Sequence, residues 1–176
     1  MVNFNLARAE FPIMKQMAFL DAACVSIPPE RAVQAVKEFA QYAATCTEES
    51  SSAHHVAMDK KRQKAYEEIT KLINASTEEI ALVESTTHGL NIAANSIKLP
   101  FGSKILISDL EFLQVPIPWS MQKDRGVEIE LVKNRAGRVL VEDFESAIDD
   151  KVKMIVISSV QWCTGWLTDL KSLGEL

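Results

Sequence analysis

The sequence predicts an α/β fold, a three-layer sandwich built on a mostly parallel sheet. Three observations lead there. From about residue 80 onward, short apolar runs alternate with helical patterns. Two of those runs, Lys-Ile-Leu-Ile-Ser at 104–108 and Met-Ile-Val-Ile-Ser at 154–158, are continuous, as in strands covered on both faces. The run at 80–84 passes into a polar turn, Ser85-Thr86-Thr87-His88-Gly89, which opens a helix.

The elements follow in order. The stretch 19–26 is short, extended and ends in small residues, and Pro28-Pro29-Glu30 opens a helix over 31–43 with Val33, Val36 and Phe39 on one face. Residues 45–55, rich in Ser, Glu and Thr, read as a loop, and 58–74 as an amphipathic helix with Tyr66, Ile69, Leu72 and Ile73 at helical spacing. Ser76-Thr77-Glu78-Glu79 has capping-box spacing before a strand at 80–84, and a helix over 87–97 follows. Strands at 104–108, 128–132 and 154–158 are separated by helices over 116–125 and 142–149. The alternating pattern at 128–132 suits an edge strand.

Composition narrows the function classes. The 176 residues are 47% hydrophobic and 24% charged, the balance of a water-soluble globular chain. A net charge of −5 gives no reason to expect nucleic acid or an anionic membrane as partner. No apolar run reaches membrane-spanning length, and the N-terminus, with Asn3, Asn5, Arg8 and Glu10, lacks the apolar core of a signal peptide. Cys24, Cys46 and Cys163 are isolated and lack Cys-x-x-Cys spacing, which argues against a disulfide frame or a zinc site. A cytoplasmic protein without a metal centre is expected.

The functional signal lies in loops. The first turn of a helix has free N–H groups and a partial positive charge, so a turn such as 85–89 suits a phosphate, with the Thr86 and Thr87 hydroxyls as cap or further donors. Serine and threonine are also ordinary N-caps, so this turn alone describes a capped helix. Strands 104–108 and 154–158 both end in serine. The first runs into Asp109-Leu110-Glu111-Phe112 and later Pro118-Trp119, the second into Val160-Gln161-Trp162-Cys163-Thr164-Gly165-Trp166. Open α/β sheets bind ligands beyond the carboxyl ends of their strands, so the loops at 85–89, 111–114 and 160–166 are expected to face a common cavity.

At these residues the chain resembles the class V aminotransferases, pyridoxal-phosphate enzymes of the aspartate-aminotransferase fold. The resemblance rests on Leu20-Asp21-Ala22-Ala23, on Thr86-Thr87-His88-Gly89-Leu90-Asn91, on Ser108 through Glu111 with Phe112 and Pro118-Trp119, and on Val160-Gln161-Trp162 with Thr164-Gly165 and Asp169-Leu170. The last stretch looks like the isopenicillin-N-epimerase-like branch. The resemblance implies pyridoxal 5'-phosphate as cofactor and an amino acid or amine as substrate. It assigns the phosphate to Thr86, Thr87 and His88, ring stacking to Phe112, the neighbourhood of the phenolic oxygen to Gln161 and Trp162, and the substrate entrance to Ala22 and Ala23. It divides the chain into an N-terminal arm, 1–30, and the N-terminal part of the cofactor-binding large domain, 31–176.

Two departures concern chemistry. The desulfurase branch has a proton-transferring histidine where this chain has Phe112, and asparagine where it has Trp162. Phenylalanine moves no proton, which disfavours desulfurase chemistry. None of the thirteen lysines, Lys15 through Lys171, lies in the Ser-x-His-Lys context of the family's Schiff-base lysine. The resemblance places that lysine, and the aspartate facing the pyridine nitrogen, beyond Leu176. The large domain is therefore expected to be incomplete, with no catalytic residue in this chain and no turnover by the chain alone.

The alternative is a non-catalytic module that retains the fold and binds at most a phosphate-bearing ligand. The resemblance further implies that strands 80–84 and 154–158 are not neighbours and that 104–108 pairs on one side with a strand outside this chain. Open edges on apolar strands predict an assembly, as a homo-oligomer or with a complementing C-terminal half.

Overall fold

The computed structural model of the chain describes residues 3–176. They fall into two compact units divided between Leu82 and Val83, inside the span 31–176 that the sequence groups as one domain.

The N-terminal unit is helical. Asn3 opens α1 (Phe4–Ala9), its Oδ1 accepting from the amides of Asn5 and Leu6. A 3-10 turn at Pro12–Lys15 and an exposed turn through Ala22 and Ala23 precede α2 (Glu30–Thr45), whose first amide donates to the Glu10 carbonyl at 2.8 Å. Helix α3 (Ser51–Ile73) starts earlier than the sequence suggests and takes up the end of the expected loop 45–55. The reason is local: the Ser50 hydroxyl accepts from the Ala53 amide at 3.2 Å and satisfies a first-turn donor. Tyr42 on α2 stacks on His54 of α3 with ring centres 4.9 Å apart. The Ser76–Glu79 capping box forms as expected around a single 3-10 turn, Thr77–Glu79. None of the described residues of this unit is fully buried, and the apolar face expected on α2 stays open, with Val36 67% and Phe39 48% exposed.

The C-terminal unit is an α/β sandwich. Helix α4 (Thr86–Ser96) leads into β1 (Lys104–Ser108), α5 (Pro116–Ser120) with a 3-10 turn at Met121–Arg125, β2 (Glu128–Val132), α6 (Val141–Ala147), β3 (Val152–Val156) and α7 (Leu170–Leu173). The sheet is parallel, in the order β2-β1-β3. Side chains alternate across β1. Ile105 and Ile107 pack with Ala94 of α4, Trp119 of α5 and Val127 on one face. Leu106 packs with Val132, Val139, Phe144 of α6 and Leu173 of α7 on the other. Helices therefore cover both faces, the three layers read from the continuous apolar run of β1.

Three expectations are corrected here. The stretch 80–84 forms no strand: Ile80 is extended, at φ −114° and ψ 133°, but among the described residues no strand pairs with the segment, and Leu82 and Val83 are 45% and 41% exposed. A ladder needs a neighbouring strand to pair the N–H and C=O groups, and apolar content alone does not supply one. Strand 154–158 ends two residues early because Ser158 turns its N–H to the Glu111 carboxylate at 2.7 Å and so leaves the ladder. Strand 104–108 is the central strand, paired on both sides within this chain, so the expectation of a missing neighbour fails. The edge position of 128–132 is as expected.

Candidate functional site

Strand order creates the site. The chain leaves β1 through α5 on the Ile105 face, crosses to β2, and returns through α6 on the Leu106 face to place β3 on the other side of β1. The loops leaving β1 and β3 at their carboxyl ends thus depart toward opposite faces, which opens a crevice between them.

Glu111 spans that crevice. The Ser108 Oγ accepts from the Leu110 amide at 3.1 Å, which turns the chain out of the sheet and leaves Glu111 9% exposed. Its Oε1 accepts from the Ser158 amide at 2.7 Å and from Gln161 Nε2 at 2.9 Å, and its Oε2 accepts from Ser158 Oγ at 2.5 Å. Three donors on one carboxylate fasten the two loops together, and charge-assisted bonds of this kind are about twice as strong as neutral ones. The β3 loop also closes on itself: the Gln161 amide donates to the Trp166 carbonyl at 2.9 Å, and Gly165, at φ 68°, donates to the Gln161 carbonyl at 2.8 Å.

Phe112 and Trp162 meet edge to face, ring centres 5.2 Å apart and planes at 78°. Trp162 donates its indole N–H to the Leu110 carbonyl at 3.1 Å, so that donor is committed to the loop. Gln161 is 1% exposed, and with its Nε2 on Glu111 its Oε1 is left buried without a hydrogen-bond partner. Trp166, from the same loop, goes the other way, its indole N–H on the Val139 carbonyl at 2.8 Å beside the α6 core. The segment 160–166 therefore splits, and only Gln161 and Trp162 join Phe112.

Thr86, Thr87 and His88 form the first turn of α4, capped by the Ser85 hydroxyl, which accepts from the His88 amide at 3.1 Å. Serine is thus the cap and the His88 N–H is taken, which leaves the Thr86 and Thr87 amides for a ligand. The other end of α4 lies at the amino edge of the sheet: Gln122 donates to the Ala94 carbonyl at 2.7 Å and Arg125 to Asn95 at 3.3 Å, just ahead of β2. At 1.5 Å per residue the eleven-residue helix runs about 16 Å, so its first turn reaches toward the carboxyl edge. Among the described residues, no hydrogen bond joins that turn to the Glu111 cluster. Ala22 and Ala23 lie in the N-terminal unit, in an exposed turn in which the Cys24 and Val25 amides donate to the Asp21 carbonyl.

Asp109 supports the β1 loop. Its Oδ1 accepts from the backbone amide and side chain of Asn134 at 2.9 and 3.0 Å. Burial acts to raise its pKa, yet the Asn134 bonds and the Lys133 ammonium outweigh burial and hold the carboxyl below its ordinary range. Lys104 stands at the opposite end of β1, bound to Asp149 and Glu130 at 2.8 Å each, which pushes its pKa up and excludes it as a nucleophile at this edge. Sequence reasoning passed over Glu111 as a site residue, although it lies in the run Ser108 through Glu111; the available signal was a carboxylate three residues past the end of an apolar strand, in the loop expected to face the site. Among the described residues, no cluster of three or more His, Cys, Asp or Glu side chains could hold a metal ion, and no helix is long and apolar enough to cross a membrane.

A family model described as Aminotransferase class-V matches residues 18–176. A probable cysteine desulfurase of Methanothermobacter thermautotrophicus is 25% identical over 170 residues, covering 96% of this chain and 42% of that protein. A cysteine desulfurase of Escherichia coli O1:K1 / APEC is 27% identical, covering 90% of this chain and 42% of its own length. The chain thus spans less than half the length of the curated relatives it matches. Among solved structures, the cysteine desulfurase CsdA from Escherichia coli superposes with a TM-score of 0.82 at 24% identity, over 99% of this chain and 46% of that one. C-DES, named a cystine C-S lyase in a second solved structure, gives 0.85 at 17% identity, over 96% and 44%, in a mutant form with glycine covalently linked to its PLP cofactor. At those identities the two structures speak for the fold.

Proposed function

The chain belongs to the aminotransferase class-V family, and from that premise we propose that it forms the N-terminal part of the cofactor-binding domain of a pyridoxal-phosphate-dependent enzyme acting on an amino acid or amine. The observation that carries the reading is the convergence of an aromatic pair, Phe112 and Trp162, with a buried amide acceptor, Gln161 Oε1, at the switch point of a parallel sheet. When bound, the cofactor supplies an electron sink for the carbon next to the substrate amine.

The residues present fit that group. The free first-turn amides of Thr86 and Thr87, with their hydroxyls, suit a phosphate; His88 contributes the turn rather than a donor, because its amide is on Ser85. Phe112 offers a ring surface worth about 0.5–1.5 kcal/mol beyond its area. The family resemblance sets Gln161 and Trp162 beside the phenolic oxygen; here Trp162 spends its indole N–H on Leu110 and Gln161 its Nε2 on Glu111. Ala22 and Ala23 are assigned the substrate entrance on the family resemblance. Phe112 has no titratable atom, so at that position the chain binds and moves no proton. The named relatives are cysteine desulfurases; they carry the family and not the epimerase-like branch.

The test is equilibrium binding of pyridoxal 5'-phosphate to the chain, followed by absorbance and intrinsic fluorescence. Inorganic phosphate should compete, and Phe112→Leu should weaken binding about two- to tenfold, the range of the lost aromatic term. Binding indifferent to both would remove the assignment of this edge as the cofactor site.

A further inference from the structure

We infer that Glu111 is a positioning residue for the Phe112 ring: the clamp it forms across the crevice, rather than the contact between the rings, holds Phe112 and Trp162 in the pose a flat ligand meets. The inference rests on the cofactor reading above, and Glu111 itself touches no ligand in it.

The β1 loop is braced within itself. The Glu111 amide donates to the Ser108 carbonyl at 3.3 Å, and the Val115 amide donates to the Phe112 carbonyl at 2.8 Å. Those bonds shape the turn but leave its separation from the β3 loop unset. Among the described residues, four hydrogen bonds tie 109–115 to 158–166, and three of them end on Glu111. The fourth, from the Trp162 indole to Leu110, belongs to a side chain 50% exposed, where water competes for the donor. Glu111 is 9% and Gln161 1% exposed, so breaking the bond between them leaves a buried amide without a partner.

Each ring directly follows a clamp residue, Phe112 after Glu111 and Trp162 after Gln161, so the 2.9 Å bond between the clamp side chains sets how far apart the two rings start. An aromatic pair by itself contributes no more than the ordering of one backbone residue costs, too little to hold two loops in register. The clamp works by geometry rather than charge. Oε1 accepts from both nitrogen donors and Oε2 only from the Ser158 hydroxyl. A glutamine at this position can therefore set its carbonyl toward the nitrogens and its NH2 toward Ser158 Oγ, which turns to accept.

Two measurements on the full chain test this. In the ligand-free protein, proton NMR should show cross-relaxation between the Phe112 and Trp162 rings. Glu111→Ala should remove those cross-peaks and leave the Trp119 and Trp166 indole resonances in place, since Trp119 is buried against β1 and Trp166 is docked on Val139. Glu111→Gln should retain the cross-peaks. Should the indole resonances of Trp119, Trp162 and Trp166 all collapse together, the alanine chain has lost its fold, and Glu111→Asp, one methylene too short for the clamp, replaces it with the same expectation. Pyridoxal 5'-phosphate should bind Glu111→Ala about two- to tenfold more weakly than wild type, the factor expected of Phe112→Leu, and the double variant should bind no more weakly than Phe112→Leu alone.

Ring cross-peaks that survive Glu111→Ala or Glu111→Asp overturn the positioning role, as does their loss in Glu111→Gln, or an effect of Glu111→Ala on binding that persists undiminished beside Phe112→Leu. Wild-type chain that binds no pyridoxal 5'-phosphate overturns the cofactor reading instead. In that case the NMR comparison still decides whether Glu111 sets the ring, so the two failures are told apart.

Discussion

Phe144 is the side chain on which the second face of the sheet depends. It is fully buried among Leu106, Val132, Val139 and Leu173, and it anchors α6, a seven-residue helix whose N-cap, Leu140, supplies no side-chain bond. Helices that short do not hold themselves, so α6 persists because its ring is docked. Phe144→Ala removes the ring and leaves a void in a core that collapses only in part, a loss of about 3–5 kcal/mol. The α/β unit has 94 residues, Val83–Leu176, for which a stability of about 5–14 kcal/mol is ordinary, so the substitution removes about a fifth of it or more. With a urea slope of about 1 kcal/mol/M for a unit of this size, the midpoint should fall by about 3 M or more. Phe144→Leu, which keeps most of the volume, should shift it by about 1–1.5 M. Urea titrations followed by far-ultraviolet circular dichroism and tryptophan fluorescence measure both. An alanine variant within about 0.5 M of wild type would refute the reasoning, since α6 would then be held by something other than this contact.

Three further outcomes are expected. The Asp109 carboxyl lies below its ordinary 3.8 in the folded chain, so its stabilisation is complete above that value and fades as pH falls through the folded one; Asp109→Asn should flatten the acid limb of stability against pH and leave its slope near neutrality unchanged, and an acid limb as steep as wild type would contradict this. Gly126 sits at φ 76° with an added Cβ placed 2.3 Å from the Phe101 ring, but Phe101 is 89% exposed and can swing away, so Gly126→Ala should cost only the left-handed strain, about 1–2 kcal/mol in a thermal melt; a loss above about 4 kcal/mol would show that the ring is fixed. Among the described residues strand β3 pairs only with β1, and it carries Met154, Ile155 and Val156, so its outer edge should drive self-association of the chain, and a monodisperse, cooperatively unfolding monomer in light scattering and thermal melts would contradict that.

Local chemistry made much of the fold readable from the sequence. The continuous apolar run 104–108 marks a strand covered on both faces, and it is the central strand with Ile105, Leu106 and Ile107 all fully buried. The Ser76–Glu79 box and the polar turn before α4 are short-range hydrogen-bond patterns, complete within a few residues, and they form where they are written. Phe112, Gln161 and Trp162 were also legible as a group, because both of their loops follow strands of one parallel sheet and so emerge at one edge.

Tertiary structure decided what depends on partners far along the chain. Residues 80–84 have the composition of a strand, but a ladder requires a neighbour that no local pattern supplies, and the segment stays unpaired. Strand β3 gives up Ser158 to a carboxylate 47 residues away, and the same carboxylate settles which end of Gln161 is free. Period and composition report what a residue prefers to bury; the direction of a hydrogen bond between two loops exists only once the sheet order has brought them together.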